Sequence, residues 1–266
     1  MKKHLVIIGL INIVLIGSLS GCIGPEVTDY FNGEYPITAQ TIVSVSNING
    51  QIEITGWDGD NVSVYAVKKS TFGVEELDKV NISVTQTGNQ IEIITKYTGQ
   101  KLIQARVDYS IKVPYNITIE TLTTSNGGIQ ISNVKGDISA SSSNGAIIME
   151  DVDGVVSATT SNGHIEIQNT TGISDIRTSN AAVITSIQNV HDDISIETSN
   201  GAITVYVNPF LNATLEMTTS NRKVQLQEMS LNISLLEDTH VIGTLGTDGQ
   251  KIDMHTSNAN IYVYKL

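Results

Sequence analysis

Cysteine is nearly missing from this chain of 266 residues. Cys22 stands alone, so no disulfide within the chain can brace it, and stability must come from packing. Aromatic residues make up 5%, with a single Trp, which suits many thin cross-sections stacked along an axis better than one thick core. Basic residues are scarce: 15 Lys and Arg stand against 27 Asp and Glu, a net charge of −12. That excludes the basic footprint that nucleic acid needs. The acidity speaks to solubility. Long apolar runs are missing as well. The one candidate, Leu5 to Ile16, is broken by Gly9 and Asn12 and is shorter than the ~20 residues of a membrane span.

What is present begins at the N-terminus. Lys2 and Lys3, the apolar run, small residues and then Leu19-Ser20-Gly21-Cys22 follow one another. That order is an export signal, and its last four residues look like a lipobox, where a lipoprotein peptidase cuts before a diacylglyceryl-modified Cys. Cys22 is therefore the expected lipidation site, with a signal peptide over 1–21. The alternative is an uncleaved N-terminal anchor. Either way the protein is expected outside the cytoplasm at the cell surface, with the membrane as a partner through its anchor. Residues 22–36 carry Gly24, Pro25, Gly33 and Pro36 without sustained period and read as a tether.

From 37 to 120 the period is two. Val62, Val64 and Ala66, then Val80, Ile82 and Val84, then Ile91 and Ile93, then Val107, Tyr109, Ile111 and Val113 alternate with polar residues or Tyr65, the mark of half-buried strands. Asn49-Gly50, Asp58-Gly59 and Gly88-Asn89 punctuate them. Only Phe72 to Lys79 reads as a short helical turn.

From 121 to 266 the chain repeats itself. Ser-Asn recurs with its Asn at Asn126, Asn144, Asn162, Asn180, Asn200, Asn221 and Asn258, at spacings of 18, 18, 18, 20, 21 and 37. The last spacing reads as two periods with a worn copy between. Thr or Ser stands two before each Asn. Apolar pairs follow it: Ile129 and Ile131, Ile147 and Met149, Ile165 and Ile167, Ile203 and Val205, Val224 and Leu226. A second turn holds Gly136, Gly154 or Gly172. This predicts an all-β fold: a right-handed β-solenoid with about 18–21 residues and two short strands per coil. Seven or so coils at ~4.8 Å give a rod roughly 35 Å long. The 37–120 region is expected to continue into it.

Asn49-Gly50-Gln51-Ile52-Glu53-Ile54-Thr55-Gly56-Trp57, Val113-Pro114 and the Thr-Ser-Asn-Gly units together resemble the β-solenoid family labelled "putative adhesin", also called toastrack-type. The resemblance runs from about Ile37 to the C-terminus. It implies an exported or envelope-associated protein and supports the fold better than any activity. The chain departs from the repeat over Met229 to Leu245, where Ser-Asn does not occur.

Strand parity places the repeat Asn side chains inward as an amide ladder, and the Ser before each one outward. The outward field then contains Ser139, Ser141, Ser143, Ser157, Thr159 and Ser161, followed by Asp175, Arg177, Ser195 and Glu197. Ser141, Thr159, Arg177 and Glu197 mark the candidate binding face, suited to an envelope glycan or a protein ligand. Asp58-Gly59-Asp60-Asn61 matches part of a calcium loop but lacks its Glu. His164, His191, His240 and His255 have no metal-ligand spacing, and no G-x-S-x-G occurs. No cofactor, metal or catalytic group is expected. The leading reading is a non-catalytic adhesion or envelope-scaffold module. Its rivals are a polysaccharide-acting β-helix enzyme and an envelope-stress sensor domain. Ile261-Tyr262-Val263-Tyr264 reads as an open edge for self-association.

Overall fold

The structure is a computed structural model that describes residues 24–38, 40–99, 104–115, 117–247 and 249–266. Cys22 and the signal segment 1–21 lie outside the described residues. The described chain is almost all strand: β1 (Val27–Pro36), β2 (Ile42–Ser46), β3 (Ile52–Trp57), β4 (Asn61–Ser70), β5 (Val80–Thr87), β6 (Gln90–Tyr97), β7 (Ala105–Pro114), β8 (Thr118–Thr124), β9 (Ile129–Lys135) and β10 (Ile138–Ser142) come first. Then come β11 (Ile147–Thr159), β12 (Ile165–Arg177), β13 (Val183–Ile187), β14 (Ile194–Thr198), β15 (Ile203–Val207), β16 (Ala213–Thr219), β17 (Val224–Gln227), β18 (Asn232–Leu236), β19 (His240–Leu245), β20 (Gln250–Thr256) and β21 (Ile261–Lys265). The single helix among the described residues, α1 (Val74–Leu77), falls in the expected helical turn.

Two faces arise because each coil contributes one strand to each. On the first face the neighbours run β3, β9, the start of β11, the start of β12, β13 and β15, all parallel and in register. On the second they run β2, β8, β10, the end of β11, the end of β12 and β14, again parallel. Inward positions repeat every second residue. Ile52 and Ile54, Ile129 and Ile131, Ile147 and Met149, Ile165 and Ile167 are buried from one side; Val43 and Val45, Ile138 and Ala140, Val156 and Ala158, Ile194 and Ile196 from the other. Each fully buried Ile contributes ~1.5–3 kcal/mol, but only because the coils above and below cover it.

Spatial order departs from sequence order at both ends. β2 lies between β6 and β8, and β3 between β7 and β9, all parallel. The first coil is thus inserted between two later ones. The last coil does the same: β20 lies between β14 and β16, and β21 between β15 and β17. Nine coils stack among the described residues. Ile261 to Tyr264 is therefore not an open edge, because β21 is paired on both sides. The worn copy expected between Asn221 and Asn258 is instead the antiparallel pair β18–β19, with β19 antiparallel to β16.

Antiparallel strands finish the stack. β4 pairs with β7 and β1 with β4 on the first face, and β5 with β6 on the second. The segment read as a tether is a ten-residue strand from Val27 onward; Gly33 and Pro36 sit inside it, and Phe31 and Tyr35 pack on the core. At the other end β19 and β18 cover the second face. β17 keeps one free side, although its Val224 N–H donates to the Asp238 carbonyl at 3.0 Å. Such capping hides backbone edges from stray pairing.

Candidate binding faces

The Ser-Asn corner shows why the repeat has its residues. Each Asn side chain donates to the next: Asn126 to Asn49, Asn144 to Asn126, Asn162 to Asn144, Asn180 to Asn162, Asn200 to Asn180, Asn258 to Asn200 and Asn221 to Asn258, at 2.7–2.8 Å. The order in space, with Asn258 before Asn221, reports the inserted last coil. Second donors of Asn144, Asn180, Asn200 and Asn221 reach Ser carbonyls. The ladder is exposed, however, not inward. The strands end at the Thr or Ser, so the following residues belong to a corner where alternation no longer holds.

The inward member is that Thr or Ser. Thr124, Ser142, Thr160, Thr178, Thr198, Thr219 and Thr256 are buried. Each hydroxyl donates to the carbonyl just after an Asn of the adjoining coil, at 2.8–3.2 Å. Asn47 takes the same place in the first coil and donates to the Val107 carbonyl of the adjoining coil at 2.8 Å and to the Gly50 carbonyl of its own at 3.1 Å. The glycine after the Asn is imposed by closeness: a Cβ on Gly145 would stand 1.8 Å from the Gly127 carbonyl oxygen. The repeat signalled this hydroxyl row through its constant Thr or Ser, but parity assigned the inward role to the Asn.

The outer side of the second face is flat. One row runs Ser46, Thr123, Ser141, Thr159, Arg177, Glu197, His255 and Thr218 across successive strands. The parallel row holds Ser44, Thr121, Ser139 and Ser157, then beyond a bulge Asp175, Ser195, Asp253 and Glu216. The structure thus places Ser141, Thr159, Arg177 and Glu197 side by side on four consecutive coils. Ser141, Thr159 and Arg177 are exposed and Glu197 is half-buried.

Hydroxyls fill one half of this surface and charge the other. Arg177 pairs with Glu197 at 2.9 Å and with Asp175 at 3.5 Å. Glu216 receives Lys251 at 2.9 Å and meets His240 Nε2 at 3.1 Å. The bond from Lys251 holds the Glu216 carboxyl below its ordinary range, and Glu216 in turn raises Lys251. These ions are spent on one another, whereas the hydroxyl half carries unpaired polar capacity toward solvent.

The second corner has its own polar edge. Asn133, Asp151 and Asn169 adopt positive φ of 52–56°, a conformation that Asn and Asp tolerate, and Gly136 follows with φ of 104° between β9 and β10, whereas Gly154 and Gly172 lie within β11 and β12. Gln188, Asn169 and Asp151 are linked by hydrogen bonds of 3.4 and 3.2 Å. Lys135 and Thr171 bind Asp153 and keep its carboxyl low. Asp58 and Asp60 lie in the turn between β3 and β4. No group of three or more His, Cys, Asp or Glu placed to hold a metal forms among the described residues. No helix among them is long and apolar enough to cross a membrane.

No protein-family model matches the chain, and no curated protein does. Some solved structures are similar to the chain over most of its length, at low identity. One is a "putative cell adhesion protein" from Clostridium sporogenes, 10% identical, covering 90% of this chain and 100% of its own, with a TM-score of 0.38. Another is a "putative lipid binding protein" from Parabacteroides distasonis, 14% identical over 88% of this chain and 96% of that one, TM-score 0.34. A third is a "putative adhesin" from Bacteroides fragilis, 10% identical over 90% and 97%, TM-score 0.26.

Proposed function

We propose that this protein is a lipid-anchored, non-catalytic surface module that holds envelope or neighbouring-surface material against the outer side of its second face. The observation that carries the reading is the hydroxyl field: Ser and Thr in two rows over four coils, spaced by ~4.8 Å from strand to strand. A flat array of small donors and acceptors suits an extended polyhydroxylated polymer, which can meet it through many repeated weak bonds. The rigid stack holds that array without loop rearrangement, so little ordering cost opposes binding.

The test uses the full-length protein. Ser141→Glu, Thr159→Glu and Arg177→Glu combined should reduce capture by isolated cell-wall polymer while leaving the thermal melt cooperative. Retained binding by a folded triple variant would remove this face from the reading. Turnover of a polysaccharide by purified protein would remove the non-catalytic reading itself. For the anchor, Cys22→Ala should abolish the acyl mass increment and membrane fractionation; wild-type protein that is soluble and lipid-free would overturn it. Two chains anchor stably where one does not.

A further inference from the structure

We propose that the apolar tip made by Phe72 and Val74 sits in the headgroup region of the membrane that anchors the protein. This rests on the anchor reading above. The chain enters the fold at one lateral corner of the stack, where Val27 lies opposite Ser70 and Ser70 opposite Ala105. The loop after β4 is built into that corner. The Phe72 N–H donates to Ser70 Oγ at 3.0 Å, and Ser70 Oγ donates to the Gln104 carbonyl at 2.8 Å. Gly24 lies so close that a Cβ on it would meet the Thr71 carbonyl oxygen at 3.1 Å. Yet Phe72 is 63% exposed and Val74 is 47% exposed. Phe72 also borders a groove of about 310 Å³ shared with Thr71 and Ala105.

Chain length decides the occupant. Cys22 precedes Val27 by five residues, which reach at most ~18 Å when fully extended. The first face runs through ten strand steps from β1 to β17, about 48 Å at ~4.8 Å each. An anchor at Cys22 therefore holds this corner within reach of the bilayer, whereas the far end has no such tether among the described residues. Among the described residues the cations here are already matched: Lys69 to Asp108 at 2.8 Å, and Arg106 to Asp108 at 3.4 Å and Glu26 at 3.7 Å. Attraction to anionic lipid is thus not the source of the contact, which comes from apolar burial and withstands salt. Exposed Glu75 beside Val74 sets the depth, because its charge is costly to bury.

An acylated Cys22 cannot react with maleimide, so Phe72→Cys offers a unique thiol for an environment-sensitive dye. The full-length lipoprotein is placed in phosphatidylcholine vesicles with shallow nitroxide-labelled lipid. Phe210→Cys is the comparison, since Phe210 is 89% exposed but follows β15, six strand steps from β7. The dye at position 72 should shift to the blue and lose emission to the nitroxide, unchanged by added salt, while that at 210 should do neither. Val74→Cys repeats the reading should the Phe72 variant fail to fold. A solvent-like dye at 72 and 74 on vesicle-bound protein overturns the proposal, as does equal quenching at 210. Protein that neither floats with vesicles nor carries acyl mass overturns the anchor reading and takes this proposal with it.

Discussion

At the scale of single residues, the corner is held by a buried hydroxyl and trimmed by an exposed amide. Thr160 Oγ1 donates to the Gly145 carbonyl at 3.1 Å and accepts from the Gly163 N–H at 3.3 Å. Thr160→Val leaves both buried backbone groups unpaired, so urea melts should show a loss of ~1–3 kcal/mol. Asn162→Ala removes bonds that water can replace and should cost ~0.5–1 kcal/mol. A larger loss from Asn162 than from Thr160 would reverse this assignment. Thr185 supplies the converse case. It is fully buried between Ile167 and Val205, and its hydroxyl has no hydrogen-bond partner. Thr185→Val should raise stability by about 1 kcal/mol, since an unmatched buried hydroxyl is costly. The apolar rows were legible in sequence because period two holds inside each strand. The side on which the Asn lies was not, because the chain leaves the strand at Thr or Ser and parity lapses one residue before the ladder.

At the scale of elements, the joint between β3, β7 and β4 converges on Asp108. Burial alone would raise its pKa, but the bonds from Lys69 and the Gln51 N–H, with the charges of Lys69 and Arg106, outweigh this and hold the carboxyl below its ordinary range. A depressed carboxyl stabilises the fold above its unfolded value, ~3.9, and loses that contribution as pH falls through the folded value. Urea midpoints taken down a pH series should therefore fall on acidification, and Asp108→Asn should flatten that limb; parallel curves would refute the role. β21 gives the second test at this scale. Val263 is fully buried between β15 and β17, so Val263→Asp should cost ~4 kcal/mol or more. Amide exchange should then accelerate in both flanking strands. Acceleration confined to β21 would indicate an edge. Its flanked position was illegible because Ile261 to Tyr264 reads as any short strand, and which coils enclose it depends on pairings far away in sequence. The strand β1 was missed for a related reason: its inward Phe31 and Tyr35 are interspersed with Asn, Gly and Pro, residues that locally signal a loop.

At the scale of the whole molecule, the 18-residue period was legible because coils from β8 to β15 follow one another in space as in sequence. The ends were not, because their caps and inserted coils obey no repeat. Contacts between coils in sequence order are the shortest-range ones available, and loop closure penalises the rest. Pulse-labelled amide exchange during refolding should thus protect β11 to β13 before β2, β3, β20 and β21. Simultaneous protection everywhere would contradict it. The inserted last coil also bears on how the molecule is made. Synthesis delivers β16 and β17 ahead of the strands that belong beneath them, so on the growing chain the place between β14 and β16 stays vacant. Only β20 and β21 fill it. A chain cut short before Ile261 cannot shed a dispensable end; it keeps an open slot lined by Ile203, Val205, Val224 and Leu226. A chain in which β21 is missing is thereby left exposed to proteolysis.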